Sequence, residues 1–289
     1  MQSAPIWVAG EALIDLLPGT DSFIPVVGGG PANTAKALAN LGIETSFIGG
    51  ISTDQFGLQV EKELASYGVN LNKAERSSWP TALAVVTLDE TGAASYEFRL
   101  EGTATFNFGS WLPKGKPNLL HIGTLATIIE PGATALFEWA KGLDTQIVFD
   151  PNVRTAVIRD RDVYRSNFKR WAEISSIVKL SDEDFAWLEF SVDEILDFGV
   201  ELVVVTHGKD GLSGFRIDQV IKVPGVEVAV VDTVGAGDTV GAVIIEGILK
   251  YGELSGENLE KVLRRAARAA AITCTREGAK PPSLMELES

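Results

Sequence analysis

Short apolar runs alternate with helix-like stretches along almost the whole chain, and this rhythm limits the fold more than any other feature. Ile6–Ala9, Thr45–Gly49, Leu119–Ile122, Ile147–Asp150, Ser176–Leu180 and Leu202–Thr206 are short and largely apolar. They lack the clean polar–apolar alternation of a half-exposed strand, so both of their faces need cover. Helical patterns separate them: Pro31–Leu41 with Gly42 at its end, Asp54–Tyr67 closed by Gly68, Pro131–Gly142 and Val163–Ile174. The alternation implies an α/β fold, a mostly parallel sheet with helices on both faces. Two segments break the rhythm: Leu13–Leu17 with Phe23–Val27, and Ala82–Leu88 with Ala94–Leu100, the latter a hairpin turning at Asp89-Glu90-Thr91-Gly92. With no helix to cover them, they are expected to form a small β-sheet lid over about 12–27 and 81–104; the competing arrangement makes them edge strands of the main sheet. The 289 residues then read as one α/β domain plus a lid.

The residue inventory excludes many chemistries. Lys and Arg total 25 against 39 Asp and Glu, a net charge of −14, which excludes a nucleic-acid coat but not a small phosphorylated ligand. A single cysteine, Cys274, rules out a disulfide framework and a Cys-rich zinc site. The only histidines, His121 and His207, belong to no HExxH pattern; a P-loop, a G-x-S-x-G elbow and the protein-kinase motifs are all missing. No run reaches membrane-helix length, and the first residues lack a basic signal region, so a cytoplasmic protein without a membrane partner is expected.

The most informative segment is Val230–Thr239. An apolar strand is expected to lead into Gly235-Ala236-Gly237, and a strongly apolar helix, Thr239–Leu249, to follow. Amides of Gly235, Ala236 and Gly237 at a helix start would combine unpaired donors with the positive end of the helix dipole, making an anion site. Asp238 beside it is placed to take a proton from an attacking hydroxyl. On this segment alone, an ordinary helix-capping Asp is an equal alternative.

Asp232–Asp238 resembles the second signature of the ribokinase-like (PfkB-type) carbohydrate kinases, and Gly28–Ala35 through Leu41-Gly42 resembles the first. Gly10–Asp15 is similar to the opening of the fructokinase-like branch. Gly123–Ala126 with Glu130-Pro131, and Asp150–Arg154, resemble that branch and its relatives acting on keto-deoxy sugar acids. The resemblance implies a ribokinase-like fold and transfer of the γ-phosphoryl of ATP, with Mg²⁺, to a primary hydroxyl of a sugar, fructose first. It implies Asp238 as base, Gly235, Ala236 and Gly237 as anion hole, and Asp15, Gly29, Gly30 and Asn33 as sugar contacts.

Further roles follow from the same resemblance. Arg99 is expected to reach the site from the lid. Arg154 is a partner for a phosphate or a sugar-acid carboxylate, or else forms a surface ion pair with Asp160 or Asp162. Thr206, Gly208 and Gly211 match a nucleotide loop. Departures also occur: the family's N-x-x-E is Ser181-Asp182-Glu183-Asp184 here, leaving Ser181 for the nucleotide and Asp184 to hold a Mg²⁺-bound water, and an adenine-side Asn is Ala267. Asp232 lies where some members bind a monovalent cation such as K⁺. Lys36 and Asn40 are expected on a solvated helix face, His207 as a loop filler and His121 packed at a strand end. A kinase for 2-keto-3-deoxygluconate and a non-catalytic sugar sensor are the alternatives, and fold analogy suggests a homodimer through the lid.

Overall fold

Eight strands form the main sheet of the computed structural model, which describes residues 5–88 and 94–289. Their order is Gln219–Val223, Leu212–Arg216, Leu202–Thr206, Ile177–Ser181, Gln146–Asp150, Leu119–Gly123, Ile6–Ala9 and Thr45–Ile48. From Leu202–Thr206 onward the pairing is parallel, as the unalternating apolar runs require. The first two strands add an antiparallel hairpin that the strand–helix rhythm does not announce.

Each face of the sheet has its own core. Gly30–Asn40, Ala236–Tyr251 and Gly256–Cys274 cover one face, where Phe47, Leu38, Val204, Ile244 and Leu263 pack together. Gly132–Lys141 and Arg161–Ala172 cover the other, around Phe137, Phe149, Phe168 and Trp171. Lys36 corrects an expectation: it is 1% exposed, paired with Glu63 at 2.8 Å, because its helix is buried between the sheet and its neighbours. Asn40 is likewise engaged, donating to the Pro281 carbonyl at 3.0 Å.

The two segments without covering helices form a separate four-stranded sheet in the order Phe23–Gly28, Leu13–Pro18, Leu83–Leu88 and Ala94–Arg99. They are not edge strands of the main sheet. The expected turn at Asp89–Gly92 lies outside the described residues. Asp15 pairs with Val26 and Ala84, and Ala84 with Phe98, so these four share one face; Ile14, Leu83 and Arg99 share the other.

The strand expected at Val230–Asp232 does not form. Residues 224–235 cross the surface, leaving Val230 and Val231 each 63% exposed, and the amides of Val231 and Asp232 donate to the Cys274 carbonyl instead of a strand ladder. The following helix begins earlier than its apolar pattern, at Ala236, because Gly235 turns the chain at φ 78°. Among the described residues no helix is long and apolar enough to cross a membrane.

Trp171 ties the second core to the strand ends. It is fully buried, meets Phe137 edge-on at 5.0 Å, and donates from Nε1 to the Thr127 carbonyl at 3.1 Å. Trp171→Ala should cost about 3–5 kcal/mol of stability. Denaturant midpoints compared at unchanged slope would measure this; a loss under 1 kcal/mol would contradict the packing described here.

Candidate active site

Parallel strands place all their carboxyl ends on one edge, and in open α/β sheets that edge holds the ligand. Glu11, Thr124, Asn152, Ser181 and Thr206 stand at or just beyond the ends of five neighbouring strands there. The helix Ala236–Tyr251 starts over the same edge. Its N-terminal Gly235 has φ 78°, and a β-carbon on it would fall 2.6 Å from the Ala279 β-carbon, so no other residue fits without displacement. The Ala236 amide donates to the Thr233 carbonyl at 3.2 Å, contrary to the expectation of three free donors. The amides of Gly235 and Gly237 face no protein acceptor among the described residues.

Asp238 is not a helix cap. Its Oδ2 accepts from Asn33 Nδ2 at 2.9 Å, joining two signatures 205 residues apart. The carboxylate is 7% exposed, and burial pushes its pKa up to about 6, with Lys179 pulling it down and Asp150 pushing it up. Asn33 is buried too, and its Oδ1 has no partner, an acceptor aimed into the site. A β-carbon on Gly30 would lie 2.7 Å from Thr124 Oγ1, 3.2 Å from Asn152 Nδ2 and 3.3 Å from Asp238 Oδ1. These polar groups therefore surround one small volume beside the carboxylate.

Around that volume the sequence missed several residues. Thr124 and Asn152 both have positive φ, 58° and 38°, an unfavourable conformation for residues with side chains and frequent at functional sites. Glu11 is buried with Oε2 accepting from the Ala126 amide at 3.0 Å, and burial pushes its pKa to about 7. Asp15 lies against Gly28, where a β-carbon would fall 2.1 Å from its Oδ2; burial pushes this carboxyl to about 6. Gly29 has φ 107° and comes close to the Glu11 carbonyl. Lys179 and Asp150 pair at 2.7 Å within the core. A lysine inside the apolar run Ile177–Leu180 was the available signal.

The two arginines part company. Arg154 lowers the proton affinity of Glu11, Asp15 and Asp238, so its charge faces the site. Asp160 instead caps the helix Arg161–Ala172, and no ion pair joins Arg154 to Asp160 or Asp162 among the described residues. Arg99 is turned away: it lies on the face opposite Asp15, is 68% exposed and pairs with Glu97 at 2.5 Å. Strand register carries Phe98, not Arg99, on the Asp15 face.

Thr206, Gly208 and Gly211 form a tight loop closed by the His207 amide on the Gly211 carbonyl at 2.8 Å. His207 does more than fill it, bonding Asp182 at 2.5 Å and Ser213 at 2.7 Å. Ser181 and Asp184 cap each other: Asp184 Oδ2 accepts from the Ser181 amide and hydroxyl, and its Oδ1 from the Val153 amide at 2.7 Å. This carboxylate, expected to hold a Mg²⁺-bound water, also accepts these three bonds. Asp232 is similarly occupied, accepting from the Val234 and Gly278 amides at 3.0 and 2.8 Å. No three His, Cys, Asp or Glu side chains gather to hold a metal ion among the described residues. His121 sits mid-strand rather than at a strand end; burial, then Lys179, push its pKa down to about 3, keeping it neutral. Ala267 is buried in the first core.

Comparison with known proteins agrees with this geometry. The profile of the pfkB family carbohydrate kinases matches residues 10–285. The fructokinase of Rhizobium leguminosarum bv. trifolii is 38% identical over 264 residues, covering 84% of this chain and 79% of the relative. That of Escherichia coli is 28% identical, covering 99% of each. Among solved structures, the fructokinase of Vibrio cholerae O395, bound to fructose, ADP and calcium ion, is 26% identical with a TM-score of 0.85, covering 98% of this chain and 96% of that one. The ATP-bound fructokinase of Xylella fastidiosa is 25% identical with a TM-score of 0.88, covering 98% and 97%. A buried carboxylate at a glycine-rich helix start, a second small sheet facing it and a family match across nearly the whole chain lead to one assignment: this chain belongs to the pfkB family of carbohydrate kinases.

Proposed function

We propose that the chain is an ATP-dependent fructose kinase with Asp238 as general base. The buried Asp238 carboxylate carries this reading, because it stands beside the free Gly235 and Gly237 amides at the positive end of a helix. The primary hydroxyl of the sugar gives its proton to Asp238 as its oxygen bonds to the γ-phosphorus of ATP. The bond from that phosphorus to the β–γ bridging oxygen breaks, and ADP leaves. The amides receive the charge on the moving phosphoryl group. Asp15 and Asn33 bind sugar hydroxyls, and Thr206, Gly208 and Gly211 lie against the nucleotide, with Ser181 beside them. Mg²⁺ accompanies ATP and supplies charge neutralisation on its phosphates. No group of three His, Cys, Asp or Glu side chains stands at Asp184 or Asp232 among the described residues.

Charge around the pocket favours a neutral sugar over a sugar acid. Glu11, Asp15 and Asp238 share Arg154 as their facing cation; Asp238 also feels Lys179, which is already paired with Asp150, and Arg99 is turned outward. A carboxylate substrate such as 2-keto-3-deoxygluconate would add negative charge to an acidic site. The intact base and anion hole also weigh against a non-catalytic sensor. The small sheet leaves Leu17, Phe23 and Ile24 exposed at its tip, which supports pairing with a second copy through the lid.

ADP release measured across a sugar panel tests the assignment. Fructose should be the best acceptor, well ahead of 2-keto-3-deoxygluconate; the reverse ranking would overturn it. Asp238→Asn should lower kcat about 10²–10⁴-fold while fructose binding persists. The base works only when ionised, so kcat should fall as pH drops through about 6, the Asp238 pKa. Gly30→Ala should fill the acceptor volume beside Thr124 and cut kcat/KM for the sugar about 100-fold without unfolding the protein, checked by thermal melting alongside kinetics.

A further inference from the structure

A buried lysine stands directly behind the catalytic helix start. Lys179 is 4% exposed, in the middle of the strand Ile177–Ser181. Its Nζ meets Asp150 Oδ2 at 2.7 Å and would lie 3.0 Å from a β-carbon on Gly237. Glycine at 237 therefore leaves this ammonium undisplaced beneath the first helical turn. Asp150 Oδ1 is buried without a partner, so the aspartate has no other donor and turns its charge to Lys179.

We propose that Lys179 is a positioning residue, whose ammonium, clamped by Asp150, holds the Asp238 carboxylate in its proton-accepting form. This rests on the reading of Asp238 as the base. A buried charge with one partner and a second nearby carboxylate acts on both, because the low-dielectric interior screens it little. The groups that bear on Asp238 come from four elements. Lys179 and Asp150 face it from two neighbouring strands, Arg154 from the loop beyond Asp150, and the Asn33 amide from the helix Gly30–Asn40. Asp184 also acts on Lys179, while His121 beside it stays neutral. Burial works against the Lys179 charge, yet Asp150 and Asp238 together keep its pKa above the ordinary value. The ammonium is thus permanent at any pH where the base titrates, which suits a fixed electrostatic support.

A plain structural strut would hold the fold without moving the titration of Asp238, and this separates the two roles. In Lys179→Met the acid limb of kcat against pH should move up by about 1–3 pH units. In Asp150→Asn it should move down, because a repelling charge is gone. Lys179→Met leaves Asp150 unpaired, so Lys179→Met/Asp150→Asn, which removes both charges, is the second variant. Its acid limb should still lie above that of the wild type, by less, since Lys179 acts on Asp238 more strongly than Asp150 does. Carbon-13 NMR titration of the Asp238 carboxyl in the substrate-free protein should show the same order. An Asp238 titration unchanged in both lysine variants would overturn the proposal. Because that titration needs no sugar, it is decided separately from the fructose assignment, which stands or falls on wild-type turnover.

Discussion

A carboxylate removed from water must be compensated on the spot, and the active site of this kinase is organised around that requirement at Asp238. Desolvation alone would drive the group to its neutral form, which cannot accept a proton. The positive end of a helix, the Asn33 amide and a buried ammonium offset the cost without abolishing it. The residual imbalance suits the proposed role: with a pKa of about 6, Asp238 is ionised near neutrality yet more basic than an aspartate in water. Several other features follow. Gly237 leaves room for Lys179 close beneath it, and the first signature returns across the chain to supply Asn33.

The sheet makes this arrangement rigid. Five neighbouring parallel strands each bring a polar residue to their carboxyl edge. Thr124 and Asn152 occupy left-handed backbone conformations, each costing about 1–3 kcal/mol. Such strain persists only where the surroundings hold it. Here Trp171 pins the turn after Thr124, and the Asp184 carboxylate fixes the backbone after Asn152. The packed layer beneath the strands thus keeps the pocket in shape before any ligand arrives.

Much of the fold was readable because local pattern and global burial agree. Doubly covered strands look apolar throughout, so the six parallel strands show themselves, and the uncovered pairs show themselves by lacking a helix. The lead-in at Val230–Asp232 misled because exposed valines look like a strand when only their type is considered; their backbone finds its partner at Cys274, far along the chain. In the site, residues inside glycine motifs were legible, since close backbone approach demands a residue type. Glu11, Asp150 and Lys179 were not singled out, because their importance lies in mutual distance and burial, which no spacing encodes. Arg99 failed for a different reason: a strand position gives no facing until its register is known.

That register has a consequence for how such kinases could diverge. In the strand Ala94–Arg99, an aromatic and a cation are neighbours, and only the pleat decides which of them shares the Asp15 face. Sliding this strand by one residue would exchange the two without altering composition. The Asp15 face would then carry a cation where it now carries an aromatic ring. A shift of one residue along this strand is therefore enough to change the charge on that face, a shorter evolutionary path than rebuilding the pocket floor.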